Sequence, residues 1–166
     1  MEPTAPLEHD AALTVHIRSR TNWAAYAAAV WSLIFAVFHV IWATGWYVGL
    51  NPETARIAFS RTAFWVYDVV VAGICVFAVP AALALAMPWG RRLPRGLVGL
   101  FAWTGTGLLV IRSVGSIIQG VYLIATGQYP IEIRAIWEPW FYVGAVLFSL
   151  ATWRFWRHPQ TPLDDA

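Results

Sequence analysis

The sequence predicts an all-α fold: a polytopic membrane protein built as a four-transmembrane-helix bundle, with both termini in the cytoplasm. Its 166 residues are 59% hydrophobic and 12% charged, and the mean hydropathy is +0.58. A soluble domain carries about 25% charged residues, so this chain has too little charge to form a water-facing surface. These observations argue against a secreted domain, a disordered chain and a protein that binds nucleic acid.

Four apolar segments are predicted to cross the membrane, because each supplies about 20 largely apolar residues, enough to span the hydrocarbon core. In chain order they are Trp23–Tyr47, Thr62–Met87, Leu97–Ala125 and Ile136–Trp156. Pro80 lies inside the second segment and is expected to kink it, which neighbouring helices in a bundle tolerate. Asn51 and Pro52 mark the connection between the first two segments as a short turn.

The chain is therefore expected to divide into three parts. Residues 1–22 form a polar N-terminal tail, residues 23–156 form the four-helix transmembrane domain, and residues 157–166 form a polar C-terminal tail. Both tails lack a long apolar period, so they are expected to be loosely attached to the domain.

The orientation follows from the arginines, because cytoplasmic loops of membrane proteins carry an excess of positive charge. Seven arginines flank the spans on the side of both termini: Arg18, Arg20, Arg91, Arg92, Arg95, Arg154 and Arg157. Three lie on the other side: Arg56, Arg61 and Arg134. This distribution places both termini in the cytoplasm.

Polar residues inside the predicted spans carry most of the functional information, because ionisable groups within a bilayer are costly and usually mark a site or a pathway. Each of the four spans contributes at least one, and all can reach the non-cytoplasmic half of the membrane. They are His39, Asp68, Arg112, Gln119 and Glu138.

Helical spacing places an aromatic residue on the same face as most of these polar residues. Converging faces predict a pocket that opens toward the outer leaflet and has aromatic walls. The aromatic residues expected to bind substrate there are Trp42, Trp65, Tyr122 and Tyr142, together with the amide of Gln119.

Each polar residue also has a purely structural interpretation. Arg112 can pair with Asp68 to hold the bundle together, since polar groups in membrane spans tend to pair. His39 can be a core histidine bonded to a carbonyl group. Glu138 precedes Pro139 near the start of a span, where the helix dipole stabilises a carboxylate.

The pocket favours acid catalysis over metal chemistry, and no metal or other cofactor is predicted. His39 is the only histidine inside a span, and the single cysteine, Cys75, has no partner at ligand spacing. Burial in an apolar cavity favours the protonated form of a carboxylic acid, which can then donate a proton to a weakly basic substrate. Aromatic faces stabilise the cation that follows.

The stretch His39–Trp46, with the sequence HVIWATGW, together with Asp68 and Arg112, resembles a group of small four-span bacterial membrane proteins, most of them of unknown function. The chain is also similar to membrane-bound terpene cyclases of bacterial terpenoid-alkaloid pathways. This resemblance implies a cyclase that acts on a prenylated substrate or its epoxide, with an intramembrane carboxylate as the acid.

The leading hypothesis is a membrane-bound terpene cyclase in which Asp68 is the general acid and His39 orients or re-protonates it. If Arg112 pairs directly with Asp68, the guanidinium favours the charged carboxylate. In that case Glu138 becomes the better acid and Asp68 an electrostatic stabiliser.

The alternative is a non-enzymatic membrane protein: a small-molecule exporter, a proton-linked carrier or an accessory subunit. Intramembrane ionisable residues mark such pathways. The expected partners are a lipophilic small-molecule substrate, the lipid bilayer and, in a homo-oligomer, further copies of the chain.

Overall fold

The computed structural model describes residues 22–127 and 131–157, with side chains from residue 137 onward in the second range. These residues form five α-helices and one 3₁₀ helix, and no strand occurs among them. In chain order the elements are α1 (Trp23–Ala43), α2 (Pro52–Phe59), α3 (Thr62–Ala84), the 3₁₀ helix (Pro88–Arg92), α4 (Arg95–Ala125) and α5 (Ile131–Arg157). The predicted all-α class is confirmed for the described residues, whereas the two tails fall almost entirely outside them.

Three of the helices are long and apolar enough to cross a membrane. They are α1 with 21 residues, α3 with 23 and α4 with 31. This finding supports an integral membrane protein. Helix α5 has 27 residues but is not among the three, and it carries Glu138, Arg154 and Arg157.

Helix α1 lies at the centre of the packing. It contacts α3 along most of its length and also packs against α5, whereas α4 packs mainly against α5. The buried face of α1 is rich in alanine, with Ala24, Ala25 and Ala28 fully inaccessible. Small side chains let helix backbones approach closely in a membrane bundle. Helices α3 and α4 contact each other only sparsely.

The bundle has two ends that differ in composition. We call the end that carries α2 and the start of α5 the upper half. The end that carries Asn22, the 3₁₀ helix and Arg157 is the lower half. The core of the lower half is apolar and consists of Ala24, Ala25, Ala84, Leu85, Val98, Ala102, Ala151 and Phe155.

Two predicted helix starts, Trp23 and Thr62, are confirmed, but the first connection differs from the prediction. Helix α1 ends at Ala43 instead of continuing to Tyr47, and Gly45 follows in a left-handed conformation with φ of +91°. Glycine adopts this conformation without the steric cost that a Cβ atom imposes. The chain therefore leaves the helix axis one turn earlier than the apolar pattern indicates.

The connection between α1 and α3 is not a short turn, because it contains helix α2. The side chain of Asn51 accepts hydrogen bonds from the backbone N–H groups of Glu53 (3.1 Å) and Thr54 (3.2 Å). Pro52 occupies the first helical position, where its missing N–H costs nothing. Asn51 and Pro52 therefore begin a helix.

Candidate functional site

A buried pair of ionisable side chains joins α1 to α3 in the upper half. His39 Nδ1 lies 2.6 Å from Asp68 Oδ1, and the two residues are only 7% and 3% exposed. The two helices run antiparallel, so the last turns of α1 face the second turn of α3. The other polar atoms of the pair, His39 Nε2 and Asp68 Oδ2, are buried and have no hydrogen-bond partner among the described residues.

Aromatic rings hold the imidazole in place. The ring of Phe35 lies edge-on to His39 with 4.5 Å between centroids, and the ring of Trp42 lies 4.9 Å away. Both aromatic residues belong to α1, one turn before and one turn after the histidine. The orientation of His39 is thus set largely within its own helix, while its charge partner comes from α3.

The pair lies at an open cavity of about 170 Å³ in the upper half. All four long helices and the α1–α3 connection contribute to its wall. The lining residues are Phe35, His39, Trp42, Leu50, Phe59, Phe64, Tyr67, Asp68, Arg112, Trp137 and Phe141. Seven of these eleven residues are Phe, Trp or Tyr, so the surroundings of the pair are predominantly aromatic.

The hydrogen bonds of two tryptophans tie the α1–α3 connection to the cavity. Trp42 Nε1 donates to the carbonyl of Val48 (2.9 Å), and Trp137 Nε1 donates to the carbonyl of Gly49 (3.1 Å). The two indole rings meet edge-to-face at 4.8 Å. These contacts fix the connection over the end of the cavity, so that Leu50 and Phe59 can form part of its wall.

A second pair of charged side chains includes Arg112, which lines the cavity, and Glu138, which does not. Arg112 Nη1 is 3.6 Å from Glu138 Oε2, and the guanidinium stacks over the ring of Phe141 at 4.4 Å. The side chain of Arg112 is 43% exposed and that of Glu138 is 13% exposed. Arg112 makes no hydrogen bond to any described residue, although its guanidinium carries five N–H donors.

The structure does not pair Asp68 with Arg112, as one interpretation of the sequence expected. Asp68 bonds to His39, and Arg112 faces Glu138. The reason lies in the helix packing: α3 is in close contact with α1 but only in sparse contact with α4. The closely packed interface therefore supplies the partner of Asp68.

Four of the residues expected to bind substrate are absent from the cavity wall. Trp65 is 43% exposed and donates to the carbonyl of Ala43 at 3.2 Å. Gln119 is exposed, Tyr122 is 63% exposed, and Tyr142 is half-buried. Of the expected aromatic residues, only Trp42 lines the cavity.

Gln119 and Tyr122 were predicted to line the pocket, but both lie on the exposed surface of α4. The buried positions of this helix include Ala102, Thr106, Ser113 and Ser116, whereas Arg112, Gln119 and Tyr122 are exposed. Arg112 still reaches the cavity because its side chain is long. Gln119 and Tyr122 do not reach it.

Several lining residues were not predicted from the sequence. Phe64 and Tyr67 precede Asp68 by four positions and one, and their aromatic spacing on α3 was a usable signal. Trp137 and Phe141 lie one turn apart on α5, on either side of Glu138. Phe59 could not have been found without recognising helix α2.

The described residues contain no group of three or more His, Cys, Asp or Glu side chains that could hold a metal ion. The ionisable groups that line the cavity, His39, Asp68 and Arg112, instead belong to two pairs: the buried His39–Asp68 pair and the partly exposed Arg112–Glu138 pair. This arrangement can hold and transfer a proton, and it can bind a polar group of a ligand.

No curated protein and no solved structure matches the chain. These comparisons give no support to the resemblance to terpene cyclases, which stays a hypothesis. A family described as "Protein of unknown function (DUF3995)" matches residues 32–148, which is well over half of the chain and includes every residue of the cavity wall. The chain belongs to the DUF3995 family.

Proposed function

We propose that this protein is a membrane-embedded isomerase that cyclises a prenylated lipophilic substrate, or its epoxide, by donating a proton to it. The observation that carries the proposal is the buried His39–Asp68 pair at the wall of an aromatic cavity. An acid that initiates such a reaction needs an apolar site that excludes water and rings that stabilise a cation.

Asp68 is the acid in this proposal. With a proton on Nδ1, the imidazole of His39 donates to Asp68 Oδ1, which leaves Oδ2 to carry the acid proton. Oδ2 has no partner among the described residues. An unpartnered buried polar atom costs free energy, which a hydrogen bond to substrate recovers.

The proposed reaction needs no co-reactant. The proton moves from Asp68 to the epoxide oxygen, the carbon–oxygen bond breaks, and the electron pair of a nearby alkene forms the new carbon–carbon bond. A proton then leaves a carbon next to the final cation and returns to the carboxylate. Product and substrate have the same mass, so the reaction is an isomerisation.

Aromatic faces stabilise the intermediate cations. Phe35, Trp42 and Tyr67 surround the pair, and such rings attract a cation within about 6 Å. Phe141 already presents a face to the guanidinium of Arg112. The carboxylate of Glu138 offsets the positive charge of Arg112, which limits its repulsion of a carbocation.

Arg112 binds the polar end of the substrate in this proposal. Its N–H donors lack hydrogen bonds within the described residues, and its side chain is partly exposed at the cavity. A carbonyl, phenolate or carboxylate oxygen is a suitable acceptor, because charge-assisted hydrogen bonds to Arg are strong.

The size of the cavity limits what it can enclose. Pockets that enclose a whole drug-sized ligand measure about 300–1,000 Å³, whereas this cavity measures about 170 Å³. It therefore takes the reacting end of a prenyl chain. In this proposal the remainder of the chain extends into the bilayer past the sparse contact between α3 and α4.

A proton-linked carrier requires a polar path through the bundle, and the composition of the lower half argues against one. The described core there consists of Ala, Leu, Val and Phe side chains. The buried hydroxyl groups of Thr106 and Thr152 bond to each other (3.1 Å) and are neutral. The ionisable groups that line the cavity belong to the upper half alone, which favours an enzyme over a carrier.

The proposal includes a topology in which α5 is the fourth span and both termini are cytoplasmic. Helix α5 packs against both α1 and α4, which is expected of a helix inside the same bundle. The excess of arginines at the lower half, including Arg91, Arg92 and Arg157, favours the cytoplasmic side for that end. The cavity then opens toward the outer leaflet of a bacterial cytoplasmic membrane.

The proposal is tested with the purified full chain in phosphatidylcholine vesicles and a panel of farnesylated and geranylgeranylated aromatic epoxides. We expect a product with the mass of its substrate and a different retention time in liquid chromatography coupled to mass spectrometry. Empty vesicles are the control. Absence of such a product, together with proton-linked substrate uptake into vesicles loaded with a pH-sensitive dye, would overturn the proposal in favour of a carrier.

A further inference from the structure

A second cavity lies between α3 and α4, in the lower half and away from the His39–Asp68 pair. It is an open groove of about 200 Å³ with apolar walls. The residues that line it are Phe77, Pro80, Ala81, Ala84, Trp89, Leu93, Leu97, Val98 and Phe101. It shares no lining residue with the upper cavity, so the two are separate sites.

Two exposed arginines lie in the 3₁₀ helix, between two residues that line this groove. The 3₁₀ helix places Arg91 and Arg92 between Trp89 and Leu93, which both line the groove. Arg91 and Arg92 are exposed and make no ion pair or side-chain hydrogen bond with a described residue. The neighbouring Arg95 is engaged elsewhere, since it donates to the carbonyl of Phe155 at 3.3 Å.

Among the residues that the structure describes, the charge around the groove is one-sided. The acidic side chains that the structure describes are Glu53, Asp68 and Glu138, and all three lie in the upper half. Arg91 and Arg92 thus face no described carboxylate at their own end of the bundle. Trp89 is 40% exposed beside them, as is typical of a ring at the membrane–water interface.

We infer that this groove binds an anionic phospholipid, with part of an acyl chain against α3 and α4 and the headgroup phosphate at Arg91 and Arg92. The walls of the groove match an acyl chain because they are apolar throughout. The two arginines complement a phosphate, and basic pockets between transmembrane helices bind anionic headgroups in this way. This inference does not depend on the proposed function.

The inference is tested by native mass spectrometry of the full chain in detergent, titrated with phosphatidylglycerol or with phosphatidylcholine. We expect one phosphatidylglycerol to bind more tightly than phosphatidylcholine. Because each arginine near a headgroup contributes roughly a fivefold gain in affinity, the double variant R91Q/R92Q should bind phosphatidylglycerol about 25-fold more weakly. Its affinity for phosphatidylcholine should be unchanged. The matched control is R56Q, which removes an exposed arginine of α2 in the upper half.

A second variant tests the groove itself. Ala81→Phe places a large ring in the groove and should weaken the binding of both lipids, while a thermal unfolding curve checks that the bundle is intact. Unchanged phosphatidylglycerol affinity in R91Q/R92Q, or an equal loss in R56Q, would overturn the headgroup site. Unchanged affinity in a folded Ala81→Phe protein would overturn the acyl-chain site.

Discussion

The upper and lower halves of the bundle are built from the same long helices, yet they bury polar groups in different ways. In the lower half the buried polar side chains are neutral, and two of them, Thr106 and Thr152, bond to each other. In the upper half the buried pair is ionisable, and each partner keeps one polar atom without a bond among the described residues. The proposed function accordingly assigns a structural role to the lower half and the chemistry to the upper half.

The largest expected effect comes from breaking the buried pair. His39→Leu should lower the rate of product formation at least about 100-fold, since general acid catalysis contributes at least that factor. Thr152→Val removes the corresponding buried bond of the lower half, and it should leave the rate within twofold while costing about 1 kcal/mol of stability. Rates per inserted molecule and melting temperatures measure both effects. Equal loss of rate in the two variants would contradict the division into scaffold and site.

Arg112 provides a smaller and more specific effect. Arg112→Gln should raise KM about tenfold, as expected for the loss of one charge-assisted hydrogen bond, and it should change kcat much less. Arg154 lies in the lower half with its guanidinium 5.2 Å from the ring centroid of Trp23, so Arg154→Gln is the matched control and should leave both constants unchanged. A fall in kcat alone for Arg112→Gln would contradict the proposal that Arg112 binds the substrate.

Packing beneath the cavity can be tested with two glycines. A Cβ atom at Gly144 would collide with the indole of Trp31, which stacks on Trp140 at 5.9 Å. Gly144→Ala should therefore destabilise the protein by about 1–3 kcal/mol. A Cβ at Gly107 meets nothing within 4 Å, so Gly107→Ala should be neutral or stabilising by up to about 1 kcal/mol. Thermal unfolding in detergent compares the two, and a stable Gly144→Ala protein would show that Trp31 can move.

The smallest effects are expected at residues that the sequence pattern assigned to the pocket but the structure places outside it. Gln119→Ala and Tyr122→Phe should leave the rate within twofold, because both side chains are exposed and neither lines the cavity. The same steady-state assay measures this. A large loss in either variant would mean that substrate extends along α4 beyond the cavity.

The sequence allowed the all-α class and the starts of α1 and α3 to be predicted, because apolar length alone identifies spanning helices. It also grouped His39 and Asp68 in one pocket, since ionisable residues within a membrane are rare, and the structure brings these two side chains together. The partner of Asp68 could not be predicted. Whether Asp68 pairs with His39 or with Arg112 depends on how closely α1, α3 and α4 pack. No local sequence pattern contains that information.

The face of α4 that packs against the other helices could not be predicted either, for a related reason. In a soluble helix the polar face marks the solvent, but a helix in lipid is apolar on both sides, and α4 is exposed over most of its surface. Gln119 and Tyr122 were therefore assigned to the interior, although both are exposed. Helix α2, in contrast, could have been predicted, because Asn51, Pro52 and Glu53 form a recognisable helix start.

The most direct test of the central claim is the rate of isomeric product formation by Asp68→Asn. The asparagine amide is close in size to the carboxyl group and can still bond to His39, but it cannot donate an acid proton. We predict a rate at least about 100-fold below that of the unsubstituted protein at equal amounts of inserted chain, with Glu53→Gln, a change on the exposed surface of α2, as the unaffected control. Product formation by Asp68→Asn at the unsubstituted rate would contradict the assignment of Asp68 as the acid.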